Sequence, residues 1–284
     1  IVGAPGFSVL NNFMGKAYLY YGSSTANMDS NYDAIFATGI SQDLFGYSVA
    51  GVGDMNKDGH ADVIIGAYGY GVLQPFSNYW GSAFVYLGGT VTNSVPDLAT
   101  YGAGNDLKVG YSVGAAGDIN KDGYADAIVG APGINAHSCL IYYGTSGLGI
   151  IPLRDTGTPD VVIEGLVSNS GFGFAVDGLG DVNSEDFDDV VCGAPLATTG
   201  KFYTYYGGNP MDTTSDIGMP GENNGDYFGY AVAGGGDVNH NGALETIISA
   251  PYNDQMGVDS GKVYIITGVP KVLDHILIIP ATAT

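Results

Sequence analysis

The chain has 284 residues, 47 of them glycine and 21 tyrosine, with 29 acidic residues against 8 basic ones and a net charge of −21. That balance argues against a nucleic-acid partner, which needs clustered Lys and Arg to neutralise phosphates, and it leaves a solvated acidic surface. No apolar run approaches the length of a membrane span, and the glycine and tyrosine content suits a single all-β domain of short strands and tight turns.

In chain order, Ile1-Val2-Gly3-Ala4 reads as the end of a strand, residues 15–22 as the next and residues 33–36 as a third. Alternation in the middle one sets Tyr18 and Tyr20 against Leu19 and Tyr21. Residues 45–100 then carry four strands, near 46–53, 62–67, 82–88 and 97–100. Residues 109–164, 172–217 and 228–280 repeat that unit, with third strands at 140–143, 201–206 and 262–266 and a last fourth strand at 275–279. The predicted blades are 45–108, 109–171, 172–227 and 228–284, after a partial one at 1–44.

Between the first and second strand of each complete unit lies a loop with oxygen-bearing side chains at positions 1, 3, 5 and 9. The first holds Asp54, Asn56, Asp58 and Asp62, with Gly59 at position 6 and a carbonyl at His60. Alternate spacing lets a short loop curl around one hard cation, and Ca2+ takes six to eight such oxygens. The second loop has Asp118, Asn120, Asp122, Tyr124 and Asp126 at the same places, the third Asp181, Asn183, Glu185, Phe187 and Asp189, and the fourth Asp237, Asn239, Asn241, Ala243 and Glu245. The loops start 64, 63 and 56 residues apart, a period that itself implies a repeat architecture. An EF-hand is excluded, because position 12 is Ile65, Val129, Cys192 or Ile248 where that motif needs a bidentate Glu. Up to four Ca2+ are expected, held less tightly by the fourth loop, which has one carboxylate fewer.

The flanks repeat too. Phe45-Gly46, Val109-Gly110, Phe172-Gly173 and Phe228-Gly229 precede the loops, and Gly66-Ala67-Tyr68, Gly130-Ala131-Pro132, Gly193-Ala194-Pro195 and Ser249-Ala250-Pro251 follow them, with Gly3-Ala4-Pro5 opening the chain. At these residues the sequence resembles the FG-GAP repeat family, best known from the β-propeller of integrin α subunits. The resemblance implies one four-stranded antiparallel blade per repeat, Ca2+ in the hairpin between its first two strands, and an extracellular or cell-surface recognition or adhesion module. It also implies a ring of more blades than the four and a fraction visible here. The gap is expected to be filled by residues outside this chain, by the tail 280–284 or by a neighbouring subunit.

The first strands end in small residues, among them Gly53, Gly117, Gly180 and Gly236. Close approach of backbones at a central axis accounts for such rows. Cys139 and Cys192 are expected as two buried free thiols, with a disulfide as the alternative. No enzyme is expected. Gly110-Tyr111-Ser112-Val113-Gly114 matches a nucleophile elbow, but that motif needs a strand-to-helix turn, and this stretch is one of four equivalent strands. His60 and His240 lie within loops, and His137 and His275 stand alone.

In a four-stranded meander the Ca2+ loops share one face, and the longer connections 5–14, 68–80, 132–138 and 251–260 share the other. The second of these holds Tyr68, Tyr70, Phe76, Tyr79 and Trp80. Tyr70, Tyr79 and Trp80 are candidate anchors for a protein or carbohydrate ligand; a local mini-core is the other reading. Self-association as a structural subunit of a layer or filament is a second function class, and a non-catalytic propeller of a larger enzyme a third.

Overall fold

The computed structural model describes residues 1–9, 12–22, 31–71, 79–89, 94–102, 104, 106–134, 137–148, 158–268 and 279–280. Every sheet is antiparallel, and within each four-stranded sheet strands adjacent in sequence are adjacent in space. The first sheet joins β1 (Val2–Ala4), β4 (Lys16–Leu19) and β5 (Ala34–Phe36), with a small hairpin of β2 (Ser8–Val9) and β3 (Asn12–Phe13) between them. Four four-stranded sheets follow. They are β6 (Ser48–Gly53), β7 (Asp62–Ala67), β8 (Ser82–Tyr86) and β9 (Leu98–Tyr101), then β10 (Ser112–Gly117), β11 (Asp126–Ala131), β12 (Ser138–Tyr142) and β13 (Val161–Glu164). After them come β14 (Val176–Gly180), β15 (Asp189–Ala194), β16 (Lys201–Tyr205) and β17 (Ile217–Pro220), then β18 (Val232–Gly236), β19 (Glu245–Ala250), β20 (Lys262–Thr267) and β21 (Ile279–Pro280). Most of the last predicted strand, with His275, lies outside the described residues, as do Phe76 and the tail from residue 281.

The inner strands β6, β10, β14 and β18 pack side by side, so the sheets stand as blades of a β-propeller, with no closed ring among the described residues. The cores are layers between blades. One layer joins Met55, Ile64 and Val85 to Val129, Leu140 and Tyr142, the next joins Ile119, Ile128 and Ile141 to Val190 and Tyr205, and a third joins Val182 and Val191 to Ile248 and Ile266. Strands β11 and β15 are buried along their whole length because a blade covers each face, which is why they read as continuous apolar runs rather than alternating ones.

The Phe-Gly and Gly-Ala-Pro elements meet across these layers. Phe45, Phe172 and Phe228 are buried, and each sets its ring edge-on or tilted against a third-strand aromatic: Phe45 on Phe84 at 5.7 Å, Phe172 on Tyr203 at 5.6 Å and Phe228 on Tyr264 at 4.8 Å. The carbonyl of the following glycine then points at the Gly-Ala-Pro glycine of the preceding blade. A Cβ on Gly3, Gly66, Gly130 or Gly193 would lie only 1.9, 2.1, 2.0 or 2.1 Å from the carbonyl oxygen of Gly46, Gly110, Gly173 or Gly229. Ser249 fills this place in the last sheet, where its hydroxyl accepts the Ala231 N–H at 2.9 Å. Gly130→Ala therefore drives a methyl group into backbone that cannot retreat. It is expected to cost about 3 kcal/mol or more, read as a shift of the urea midpoint, whereas Ser249→Ala should cost under about 1 kcal/mol.

Two expectations need correction. The glycines that end the inner strands have more than one cause. Close approach holds at Gly178, whose Cβ would meet the Ala115 carbonyl at 2.3 Å. Gly53, Gly117 and Gly180 are also closely approached, but by the side chains of Ala125, Asp188 and Leu244 rather than by backbone, and together with Gly236 they take φ of 78°, 79°, 69° and 66° at a β-bulge where the register shifts, a left-handed conformation that favours glycine. The cysteines are not free: Cys139 in β12 and Cys192 in β15, both fully buried, are joined as a disulfide across two blades.

Candidate metal loops and binding face

All four acidic loops fold alike. In each, the position-1 aspartate accepts two backbone N–H groups: Asp54 from Asp58 at 3.1 Å and Gly59 at 2.8 Å, Asp118 from Asp122 at 3.0 Å and Gly123 at 2.8 Å. Asp181 takes those of Glu185 and Asp186 at 3.0 and 2.8 Å, and Asp237 those of Asn241 and Gly242 at 3.0 and 2.9 Å. The position-3 asparagines Asn56, Asn120, Asn183 and Asn239 accept the position-5 N–H at 2.9–3.0 Å. Positions 4 and 6 are left-handed in every copy, with Lys57, Lys121, Ser184 and His240 at position 4. Asp186 adopts at φ 70° the conformation that glycine has in the other three, and the Lys121 ammonium bridges to it at 2.9 Å.

The position-9 acid is turned differently. Asp62, Asp126 and Asp189 are fully buried, and each clamps the loop to the end of the third strand. Asp62 accepts the N–H groups of Met55 and Gly88, both at 2.7 Å. Asp126 accepts those of Ile119 and Gly144 at 2.9 and 2.8 Å, and Asp189 those of Val182 and Gly207, both at 2.8 Å. Glu245 accepts from Val238 N–H and the Asn239 amide, both at 2.7 Å. With these carboxylates so engaged, no three His, Cys, Asp or Glu side chains gather as a ready metal cluster among the described residues. Burial pushes Asp62 up to about 6 and Asp126 and Asp189 up to about 7, with the neighbouring loop aspartates adding to the rise. Asp58, fully exposed, is lowered by its hydrogen bond from Asn56. Each loop is thus an all-oxygen ring of like charges whose backbone is already curled, and a divalent cation fits that donor set. His60, Tyr124, Phe187 and Ala243 occupy the following turn of each loop, at position 7.

At the opposite ends of the inner strands an aromatic row crosses four blades. Tyr47, Tyr111, Phe174 and Tyr230, the residues after each Phe-Gly or Val-Gly pair, lie 5.1, 4.9 and 4.8 Å apart in succession. Tyr68 leans on both Tyr47 and Tyr111 at 4.5 and 5.2 Å, and the Tyr47 hydroxyl donates to that of Tyr111 at 3.2 Å. Burial raises the Tyr111 and Tyr68 phenols. Tyr47 and Tyr230 are more than 40% exposed. The three anchor candidates separate. Tyr70 packs into the core on Phe84 and Tyr101 at 5.5 and 5.4 Å, Tyr79 meets the row through Tyr68 at 5.9 Å, and Trp80 stands to one side, 37% exposed. Sequence reasoning looked for aromatics on a long loop and passed over this row, although its signal, an aromatic one residue after each Phe-Gly or Val-Gly pair, is present in all four repeats. The hydroxyl of Ser112, in the elbow-like stretch, donates to the Gly173 carbonyl at 2.9 Å, as Ser48 does to Gly110 at 3.0 Å; it is an inter-blade bond.

A family model for the FG-GAP repeat matches residues 45–86 and 109–137. Among curated relatives, integrin alpha-6 of Gallus gallus is 37% identical over 150 residues, covering 49% of this chain and 13% of its own length. Integrin alpha-7 of Mus musculus is 33% identical over 178 residues, covering 59% of this chain and 14% of its own. Integrin alpha-5 of Xenopus laevis is 28% identical over 240 residues, covering 80% of this chain and 21% of its own. The chain thus spans about a fifth or less of the length of these relatives. No helix among the described residues is long and apolar enough to cross a membrane. The chain therefore carries FG-GAP repeats at residues 45–86 and 109–137, and it is similar in sequence to integrin alpha subunits.

Proposed function

We propose that this chain is a calcium-stabilised recognition module of the extracellular adhesion type, binding a protein partner on the face opposite its acidic loops. The row Tyr47-Tyr111-Phe174-Tyr230 carries this reading. A part-exposed aromatic platform spanning four blades offers a partner side chain large, rigid area at low entropic cost, and it accepts an apolar, aromatic or cationic group. Asp54, Asn56 and Asp58, with their counterparts in the other loops, would hold the cation with the position-7 carbonyl, while Asp62, Asp126, Asp189 and Glu245 tie each loop to its blade and keep a lone pair for the ion. Bound Ca2+ supplies charge neutralisation and rigidity.

Binding assays against a panel of extracellular-matrix proteins and a panel of oligosaccharides test this. Tyr111→Ala should weaken the protein interaction by about 2 kcal/mol or more, and Trp80→Ala much less. Selective oligosaccharide binding that quenches Trp80 fluorescence would replace the protein-ligand reading with a lectin one. A Tyr111→Ala variant that loses stability and binding in proportion would make the row a packing feature only.

A further inference from the structure

The chain contains two Asn-Gly pairs, Asn224-Gly225 and Asn241-Gly242. In such a pair the glycine nitrogen can attack the asparagine side-chain carbonyl, because no side chain hinders it. The C–N bond of the side-chain amide breaks, ammonia leaves, and a succinimide ring forms. Water then opens the ring at the side-chain carbonyl, giving aspartate, or at the main-chain carbonyl, giving isoaspartate. Both pairs are exposed, and a Cβ on either glycine would meet nothing within 4 Å, so water reaches each.

Their nucleophiles differ. Among the described residues no hydrogen bond holds the Gly225 N–H. The Gly242 N–H donates to the Asp237 carboxylate at 2.9 Å, and the Asn241 side-chain oxygen accepts the Ala243 N–H at 2.8 Å. A succinimide carries no N–H at that nitrogen, so ring closure must break the Asp237 bond and uncurl the loop. Positions 5 and 6 are exposed in all four loops, and the position-6 N–H is bound to the first aspartate in each. What sets the fourth loop apart is an amide at position 5. Asp58 and Asp122 hold that place in the first two loops, where their carboxylates accept the N–H groups of His60 and Tyr124 at 2.9 Å, as Asn241 does that of Ala243. An aspartate at position 241 therefore falls into a geometry that the chain already builds twice.

We propose that Asn241 is a deamidation site whose aspartyl product supplies the carboxylate missing from the fourth loop, and that the loop's own cation controls the reaction. This rests on the calcium reading above. Ca2+ binds the curled loop, in which Asp237 holds the Gly242 nitrogen, and so it suppresses the opened form that reacts. The loop with the fewest carboxylates empties first, and it is the one that can acquire another. The isoaspartyl product has a main chain longer by one carbon and does not reproduce the turns at positions 5 and 6, so that fraction loses the site.

The test ages the 284-residue chain in mildly alkaline buffer, below its melting transition, with either about 2 mM Ca2+ or EGTA. Peptide mapping that separates asparagine, aspartate and isoaspartate follows both pairs. Asn224 is the internal reference and should convert at one rate in both buffers. Asn241 should convert about tenfold more slowly in Ca2+ than in EGTA. In EGTA, Asp237→Ala, shown to be folded by its melting curve, should bring Asn241 to the rate of Asn224. A Ca2+ titration of Asn241→Asp should show the weakest site tightened about tenfold. Equal Asn241 rates in the two buffers, in a chain that elemental analysis shows to hold Ca2+, would overturn the proposal and leave the calcium reading standing. An Asn241 rate unmoved by Asp237→Ala, or a weakest site unmoved by Asn241→Asp, would do the same. A chain that binds no Ca2+ would remove the calcium reading and this proposal together.

Discussion

Excess EGTA is expected to lower the melting temperature of this chain by roughly 10 °C relative to about 2 mM Ca2+. Extracellular loops of this kind bind near 10^-4 M, so the free ion then stands at about twenty times Kd and contributes about 2 kcal/mol per loop, or about 7 kcal/mol over four loops. Asn241 replaces a carboxylate in the fourth loop, which should therefore empty first in a titration. The pH dependence separates this effect from general screening. Without the ion, Asp62, Asp126 and Asp189 titrate near 6 to 7 in the fold, against 3.8 for the free side chain. The folded chain then holds protons that the unfolded chain releases. That stabilisation is complete below about pH 4 and is lost as pH rises through 7. In EGTA the melting temperature should fall across this window. With Ca2+ it should hold or rise, because the ion needs the carboxylates ionised. Identical curves with and without EGTA, together with no bound Ca2+ by elemental analysis, would remove the metal from the account.

Sequence alone carried the repeat, its four-strand order and the position of every acidic loop, because each depends on local spacing that the chain states four times. It could not carry what depends on two blades at once. The Gly-Ala-Pro glycine looks like turn punctuation, yet at Gly66 and Gly130 its cause is a carbonyl from the next blade, more than 40 residues away. Asp62 and Asp126 read as cation ligands equal to the rest, whereas each also clamps two backbone N–H groups from separate segments. Tyr70 and Trp80 are alike in a loop sequence, and only the position of Phe84 and Tyr101 sends one inward. The aromatic row was visible as a repeat position but meaningless until the inner strands were set side by side.

Breaking the bond between Cys139 and Cys192 should be the largest single covalent effect. The two lie in equivalent layers of successive blades, one on a third strand and one on a second, 6.8 Å apart at Cα. Each is flanked by buried Ile and Val, which is why sequence context alone favoured free thiols. Closing a loop of 53 residues restricts the unfolded chain by about 4 kcal/mol in the loop-entropy account, worth roughly 6 °C in a chain of this size. Cys139→Ala with Cys192→Ala should reproduce the melting point of the reduced chain, since alanine leaves no buried hydroxyl or thiol to satisfy. Either single substitution should be worse than the pair when the remaining thiol is free to form mixed disulfides. Both sulfurs are buried, so reductant must wait for the blades to open, and reduction should be slow in Ca2+ and fast in EGTA. The decisive measurement is a thiol titration in denaturant without reductant. Fewer than about 0.1 thiols per chain is the expected result; two thiols per chain would restore the free-cysteine reading and leave the blades held by packing alone.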